Sequence, residues 1–295
     1  MSKKSLSVSV IIPVYNAENF LERAVNSVIN QKNVIEILLV EDGSKDDSYQ
    51  TCLRIEKENP LIRVLSHENR TNKGGAATRN VGIYHAKGDW IQFLDADDQL
   101  LNGKIEGQLN LIQESTPFIV GNATDIFDNG RSNKRTFLKD AWGGVIGSKL
   151  GITSANLFKR EYVTQVKGFD ETYTSSDEYE LMFKILKLND NIVFDERYLT
   201  LIYSTSGSLT RSPERTKKIA SDWIGLRESI KCFLESKNKF SLRYRYLYYG
   251  NLWLFKKNVC NEDVKFTNIY DFTYYYEKRF KIFIFSFLKK IKVVK

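Results

Sequence analysis

The sequence predicts an α/β fold: a mostly parallel sheet flanked by helices, followed by a C-terminal helical appendage. Two observations carry this. From Val8 to Leu94, short runs of apolar and β-branched residues alternate with segments whose apolar positions recur at helical spacing, the pattern of successive βα units. Beyond Pro213 only helical patterning remains, without glycine-rich loops. The 295 residues, 42% of them hydrophobic, suffice for one large domain and a substantial appendage.

Residues 8–16 open as a strand with Pro13 near its end. Phe20, Leu21, Ala24, Val25, Val28 and Ile29 then mark an amphipathic helix over 18–31. A strand at 35–40 runs into Glu41-Asp42-Gly43-Ser44, and Ser44 or an adjacent Asp is expected to cap a helix over 46–58. Residues 62–65 give a third strand, 74–85 a glycine-started helix, and 90–94 the fourth strand. A helix over 101–114 and a strand at 118–121 follow. Asn129-Gly130 is a strong turn pair and centres a hairpin over 125–138. A strand at 153–158, a short helix at 160–166, a helix opening on Asp177-Glu178-Tyr179-Glu180 and strands at 192–194 and 199–203 complete the α/β part. Three long helices are expected over 214–235, 242–257 and 270–295. The implied domains are 1–211, in two halves to residue 100 and over 101–211, and a helical region over 212–295.

The fourth strand leaves directly into Asp95-Ala96-Asp97-Asp98. Three carboxylates so close repel one another unless a cation joins them, and hard oxygen ligands suit Mg²⁺ or Mn²⁺ that also holds phosphate oxygens. In open α/β sheets, ligands gather at the carboxyl ends of strands, where these residues lie. Asp also favours turns and helix caps without any metal. A calcium loop would use Asp95, Asp97, Gln99 and Glu106 but has Leu100 where glycine is required. An aspartyl-nucleophile phosphatase would carry Thr or Val where Gln99 stands. Gly74 and Gly75, before Arg79-Asn80, permit close backbone approach of an anion to a helix N-terminus, or simply economical packing. The acids at 177–180 would complement a helix dipole even without chemistry.

Cys52, Cys232 and Cys260 are scattered, with no zinc-like or disulfide spacing, which suits a reducing compartment. Residues 1–7 are polar and lack the apolar run of a secretory signal, so a cytoplasmic protein is expected. The net charge of +8 is localised: residues 278–295 carry seven basic side chains and no acid. No broadly basic face, and so no nucleic-acid partner, is indicated.

In order and spacing, Val10-Ile11-Ile12-Pro13-Val14-Tyr15-Asn16, Val40-Glu41-Asp42-Gly43-Ser44, Asn72-Lys73-Gly74-Gly75 with Arg79-Asn80, and Phe93-Leu94-Asp95-Ala96-Asp97-Asp98 together resemble family 2 glycosyltransferases of the GT-A fold. Gly168-Phe169-Asp170-Glu171 and Asp177-Glu178 extend the likeness. The resemblance implies an inverting, metal-dependent transfer from a nucleotide-diphosphate sugar, most often a UDP-sugar, to a saccharide acceptor. Pro13, Val14, Tyr15 and Asp42 would serve the base, and Lys73 and Arg79 the diphosphate or acid cluster. Asp95 and Ala96 would serve the nucleotide, and Asp97, with Asp95, the Mn²⁺ or Mg²⁺. The general base falls on Glu178 by alignment through Leu181, with Asp177 the alternative, because the family's Glu-Asp order is inverted here.

Two departures accompany the likeness. The late-loop histidine of many relatives is missing, since His67 and His85 lie far upstream; hydroxyls of Ser204 to Ser208, Arg211, or nothing at all would take its place. No Gln-x-x-Arg-Trp signature of processive members occurs, so one sugar per encounter is expected. Gly121 to Ile152 is expected to shape the donor pocket. A nucleotide-sugar-binding protein without catalysis, and a phosphatase or nucleotidyltransferase, stay open. The Ile282–Leu288 run between lysines is too short to span a bilayer, but suits a helix lying on a membrane surface. That would place the protein on the inner face of the plasma membrane with a lipid-linked saccharide as acceptor; a core helix with solvated lysines is the other reading.

Overall fold

The computed structural model describes residues 6–203, 213–260, 265–266 and 268–290, with backbone only at 213–215 and 281–290. Contacts divide the chain into two units, Met1–Ala141 with Ser148–Leu209, and Trp142–Gly147 with Thr210–Lys295.

The first unit is built on β1 (Val8–Val14), β2 (Val34–Glu41), β3 (Ile62–Ser66) and β4 (Trp90–Phe93), joined by α1 (Leu21–Ile29), α2 (Ser48–Glu58) and α3 (Gly75–His85). β1 pairs in parallel with β2 and β4, and β2 with β3. Parallel neighbours need crossovers, which the three helices supply. Val10, Ile12 and Val14 of β1 join Leu21, Val25 and Val28 of α1 in one apolar cluster. On the other face, Gly82 of α3 lies so close to β1 that a Cβ there would stand 2.4 Å from the Ile11 side chain.

The chain continues through β5 (Gln99–Leu100), α4 (Lys104–Leu109), β6 (Phe118–Gly121), β7 (Ala123–Ile126), β8 (Ser132–Arg135), α5 (Ala141–Ile146), β9 (Leu157–Lys159) and α6 (Arg160–Gln165). It reaches α7 (Asp177–Leu188), β10 (Val193–Asp195) and β11 (Thr200–Tyr203). The large sheet has the order β10-β6-β9-β4-β1-β2-β3, and a small one the order β5-β11-β7-β8. Within the large sheet only β9 runs antiparallel to its neighbours, β4 and β6. The hairpin expected about Asn129-Gly130 is the β7–β8 pair, closed by the Phe127 N–H to Arg131 carbonyl bond at 3.0 Å.

Several boundaries differ from the sequence reading. The helix expected from 18 starts at Leu21, because Glu18 bonds the 46–47 loop through its own N–H and its carboxylate. α2 is not capped by Ser44, whose hydroxyl accepts from the Asn16 N–H; Asp46 instead accepts from the N–H and hydroxyl of Ser48. The helix expected over 101–114 is short: Gly103 is left-handed, and beyond Leu109 the bonds tighten to i→i+3 turns at Leu111 and Ile112. The strand expected from 153 begins at Leu157, because Ala155 and Asn156 both turn back to donate to the Ile152 carbonyl. The strand β5, the pairing of β11 with β5 and β7, and α5 were not anticipated.

The second unit contains α8 (Pro213–Ser236), α9 (Leu242–Asn258) and α10 (Ile269–Lys290). Trp142 stacks on Phe233, and the Arg227 guanidinium covers Trp223 and donates to the Ile146 carbonyl. Trp223 stacks on Phe255, joining α8 to α9. Gly250 of α9 admits Tyr274 of α10, whose hydroxyl donates to Asn251. Among the described residues no helix is long and apolar enough to cross a membrane. The side chains of the basic apolar run at 281–290, and all of 291–295, lie outside the described residues.

Candidate active site

The chain's connections reverse direction at β1, and ligands of open α/β sheets bind in the crevice at the carboxyl ends of strands beside such a switch. Pro13, Val14 and Tyr15 end β1 there, Asp42 follows β2, and Asp95 to Asp98 follow β4.

Asp42 is buried and already engaged. It accepts from the Lys73 N–H at 2.7 Å, the Gly74 N–H at 3.0 Å and the Asn72 amide at 3.0 Å. His67 Nε2 lies 3.5 Å from Asp42 Oδ1. The carboxylate therefore shapes the loop leading into α3, while the Lys73 side chain stays exposed. Gly74 has φ +88°, a left-handed backbone that favours glycine, and a Cβ on Gly75 would stand 3.1 Å from the Arg79 guanidinium.

Arg79, on the inner turn of α3, bridges two of the predicted acidic elements. One guanidinium nitrogen donates to Asp95 Oδ1 at 2.6 Å and the other lies 3.5 Å from Asp177 Oδ2. Burial works against its charge, but Asp95 and Asp177 outweigh burial and raise its pKa. The next residue, Asn80, donates to the Phe169 carbonyl and to Glu171 and accepts from the Phe169 N–H at 2.8 Å. Gly168 in that loop has φ +66°, and a Cβ there would meet Asn80 Oδ1 at 2.4 Å.

The three adjacent aspartates are not equivalent. Asp98 is buried and accepts from the Ser154 hydroxyl at 2.7 Å and the Tyr203 N–H at 3.4 Å, so it ties β4 to two other segments. Burial, then Asp95, pushes its pKa up to about 8. Asp95 stays partly exposed beside Arg79. Asp97 has its pKa raised by burial and then by Asp95, so a positive charge nearby would relieve it. Its carbonyl accepts from Arg23, whose guanidinium lies 3.6 Å from the centre of the Tyr203 ring. Ala96 is buried between them.

The donor set of Asp95 and Asp97 fits a hard divalent cation that takes one or two carboxylates and completes its shell with phosphate oxygens. Among the described residues, no group of three or more His, Cys, Asp or Glu side chains is arranged to hold a metal by protein ligands alone.

Asp177 and Glu178 open α7 and point to different partners. Asp177 faces Arg79, whereas Glu178 Oε2 accepts from both the N–H (2.9 Å) and the hydroxyl (2.6 Å) of Thr153. Burial raises the Glu178 pKa, partly offset by the Thr153 hydroxyl. No described group bonds Oε1, and Glu178 lines a cavity of about 200 Å³. Thr153 thus holds Glu178 while its neighbour Ser154 accepts from the Asp95 N–H and donates to Asp98. In the sequence Asn80 is legible only as part of a motif, and Arg23, Thr153 and Ser154, which stand far along the chain from the acids they organise, are not singled out. Ser204 to Ser208 and Arg211 lie outside the described residues.

The family model for glycosyl transferase family 2 matches residues 9–184, which spans all of these motifs. The chain belongs to that family. It is 29% identical over 231 residues to the Streptococcus pneumoniae glycosyltransferase GlyG, covering 70% of this chain and 73% of GlyG. It is 40% identical over 109 residues to an uncharacterized glycosyltransferase of Haemophilus influenzae, covering 37% of this chain and 43% of that protein. The fold matches that of Staphylococcus aureus TarS 1–349 in complex with UDP-GlcNAc, with TM-score 0.59, 20% identity, and coverage of 86% and 82% of the two chains. The Pyrobaculum calidifontis mannosyltransferase PcManGT, in complex with GDP-Man and Mn²⁺, gives TM-score 0.57 at 14% identity, covering 88% and 89%. The central sheet is thus that of a GT-A family member.

Proposed function

We propose that this family 2 member is a non-processive, inverting glycosyltransferase that moves one sugar from a nucleotide-diphosphate donor to a saccharide acceptor. The observation that carries this reading is the Arg79 bridge, which joins the Asp95 loop to the base-bearing end of α7. A donor-side acidic loop and an acceptor-side carboxylate thereby meet at one place.

Each residue then has a task. Pro13, Val14 and Tyr15 line the base pocket. Three of the four lone-pair positions on the Asp42 carboxylate hold the 72–74 loop and His67 Nε2 lies 3.5 Å from Oδ1, so Asp42 serves the base pocket by shaping that loop. Lys73, exposed at the α3 entrance, and Arg79 supply positive charge towards the diphosphate. Asp97, with Asp95, would hold Mn²⁺ or Mg²⁺, which when bound neutralises charge on the leaving diphosphate. Support for the donor and the cation comes from TarS, solved with UDP-GlcNAc, and PcManGT, solved with GDP-Man and Mn²⁺.

Glu178 Oε1 takes the proton of the acceptor hydroxyl as that oxygen bonds to the anomeric carbon. The bond from the anomeric carbon to the diphosphate oxygen breaks, and its electron pair leaves with the nucleoside diphosphate. One displacement inverts the anomeric centre. Glu178 suits this role better than Asp177, because Thr153 occupies one of its oxygens and no described group bonds the other, and the residue lines a cavity, whereas Asp177 is turned to Arg79.

Incubation with Mn²⁺ and a panel of UDP-, GDP- and dTDP-sugars tests the reading. Release of free nucleoside diphosphate from at least one donor is expected, and chelation should stop it. Failure of every donor both to turn over and to raise the melting temperature would overturn the proposal. Phosphate or pyrophosphate as product would reveal phosphatase or nucleotidyltransferase chemistry. An acceptor carried on a membrane lipid, with the lysine-rich stretch over 278–295 as the membrane contact, extends the same proposal.

A further inference from the structure

The cavity that Glu178 lines is closed by Gly121, by Arg135 of the β7–β8 hairpin, by Lys149 and by Tyr179. It is a small space of about 200 Å³, equal to roughly seven waters at the volume each takes in the liquid, and so suited to a single sugar ring. Two lining glycines are closely packed: a Cβ on Gly121 would stand 2.3 Å from the Ala155 carbonyl, and one on Gly151 would stand 2.2 Å from Asn156 Oδ1.

Two cations and one carboxylate line this space. Arg135 commits one guanidinium nitrogen to Asp125 at 2.8 Å and keeps its remaining N–H groups. The Lys149 ammonium has no carboxylate partner among the described residues, while the Lys149 carbonyl accepts from Leu138 at 2.7 Å and anchors the segment. Glu178 must be ionised to act as a base, so it repels any anion that approaches it. A cavity meant for a neutral sugar would have no need of offsetting charge. Arg135 and Lys149, both solvent-exposed, add positive charge to the same lining, and an arginine fork matches carboxylate and phosphate oxygens.

We infer that this cavity is the acceptor subsite and that it selects a saccharide bearing an anionic group, a phosphate ester or a carboxylate, next to the hydroxyl that is glycosylated. The inference rests on the proposed transferase reading and narrows its acceptor. Arg135 and Lys149 grip the anion while Glu178 Oε1 receives the hydroxyl proton. Neutral acceptors leave the Lys149 ammonium and the remaining Arg135 N–H groups without an anion and bind more weakly.

The experiment is isothermal titration of the full chain, with Mn²⁺ and UDP present, using glucose 6-phosphate, glucuronate and glucose as probes. Both anionic probes, or one of them, should bind at least ten-fold more tightly than glucose, with affinity falling as salt rises. The order of the two separates a phosphate-bearing from a carboxylate-bearing acceptor. In Lys149→Gln and Arg135→Gln the preference should shrink to less than three-fold, and in Lys149→Arg it should persist. Equal binding of all three probes, or a preference untouched by both Gln variants, would overturn the inference. Because this readout is binding, it stands apart from the donor-turnover test: loss of turnover with every donor sinks the transferase reading, whereas turnover with indifferent probe binding sinks only the anionic acceptor.

Discussion

At the scale of single residues the site turns on two side chains. Glu178 is held by Thr153 with one oxygen free, and burial raises its pKa. A general base must be deprotonated, so kcat/KM should fall as pH drops through a value above the ordinary glutamate range near about 4.3. Glu178→Gln should lose about 10²- to 10⁴-fold in turnover and keep its nucleotide affinity. Asp177→Asn should lose less. The reverse order in steady-state rates would move the base to Asp177. Arg79 is the second. Arg79→Met leaves Asp95 and Asp177 facing one another without their cation. Breaking a buried pair costs about 3–5 kcal/mol, and the solvent that Asp95 retains puts the expected loss at or below about 3 kcal/mol. A denaturant melt measures it, and an unchanged midpoint would show that the bridge is not made.

At the scale of elements, the site depends on loops pinned by neutral side chains. Asn80 holds the Phe169 backbone from both sides and also bonds Glu171. Asn80→Ala should cost about 1–3 kcal/mol, since it strands buried backbone groups. It should also raise protease cleavage within 168–172, the loop that precedes α7 and its acids. Lys104 of α4 illustrates a different dependence. It is fully buried, bonded to the Gln92 side chain and near the Asn156 carbonyl, and burial drives its pKa well down. The unfolded chain takes up a proton, near a pKa of about 10.4, that the folded chain resists, so stability rises with pH up to that value. Measured against Lys104→Met, the wild type should gain stability between pH 7 and 10. Parallel profiles would contradict a buried lysine.

At the scale of the molecule, the second unit leaves Ile269, Phe272, Tyr276 and Phe280 of α10 exposed, ahead of a terminus rich in lysine. Apolar side chains beside basic charge suit the surface of an anionic bilayer. Co-sedimentation with phosphatidylglycerol vesicles, but not with phosphatidylcholine vesicles, is expected at low salt, with loss of binding when Lys289, Lys290, Lys292 and Lys295 become Gln. Binding that ignores lipid charge would exclude this role.

The sequence by itself determined the parallel βα core, because period-2 and period-3.6 apolar patterns are local and survive in any packing. It also located the acids after β2 and β4 and at the start of α7, since carboxylates leaving a strand or opening a helix are visible without coordinates. Which acid does what was not legible. Asp95, Asp97 and Asp98 are chemically alike in the chain, and only packing spends Asp98 on Ser154 and Tyr203 while leaving Asp95 to Arg79. The roles of Thr153, Ser154 and Asn80 were invisible for the same reason: each acts on a partner 25 or more residues away. The tertiary structure decided these because β9 enters the sheet antiparallel, between β4 and β6. Its preceding turn is thereby brought to the carboxyl end of β4. Register and strand direction set by long-range pairing carry no local signature, and they give Glu178 its free oxygen and its cavity.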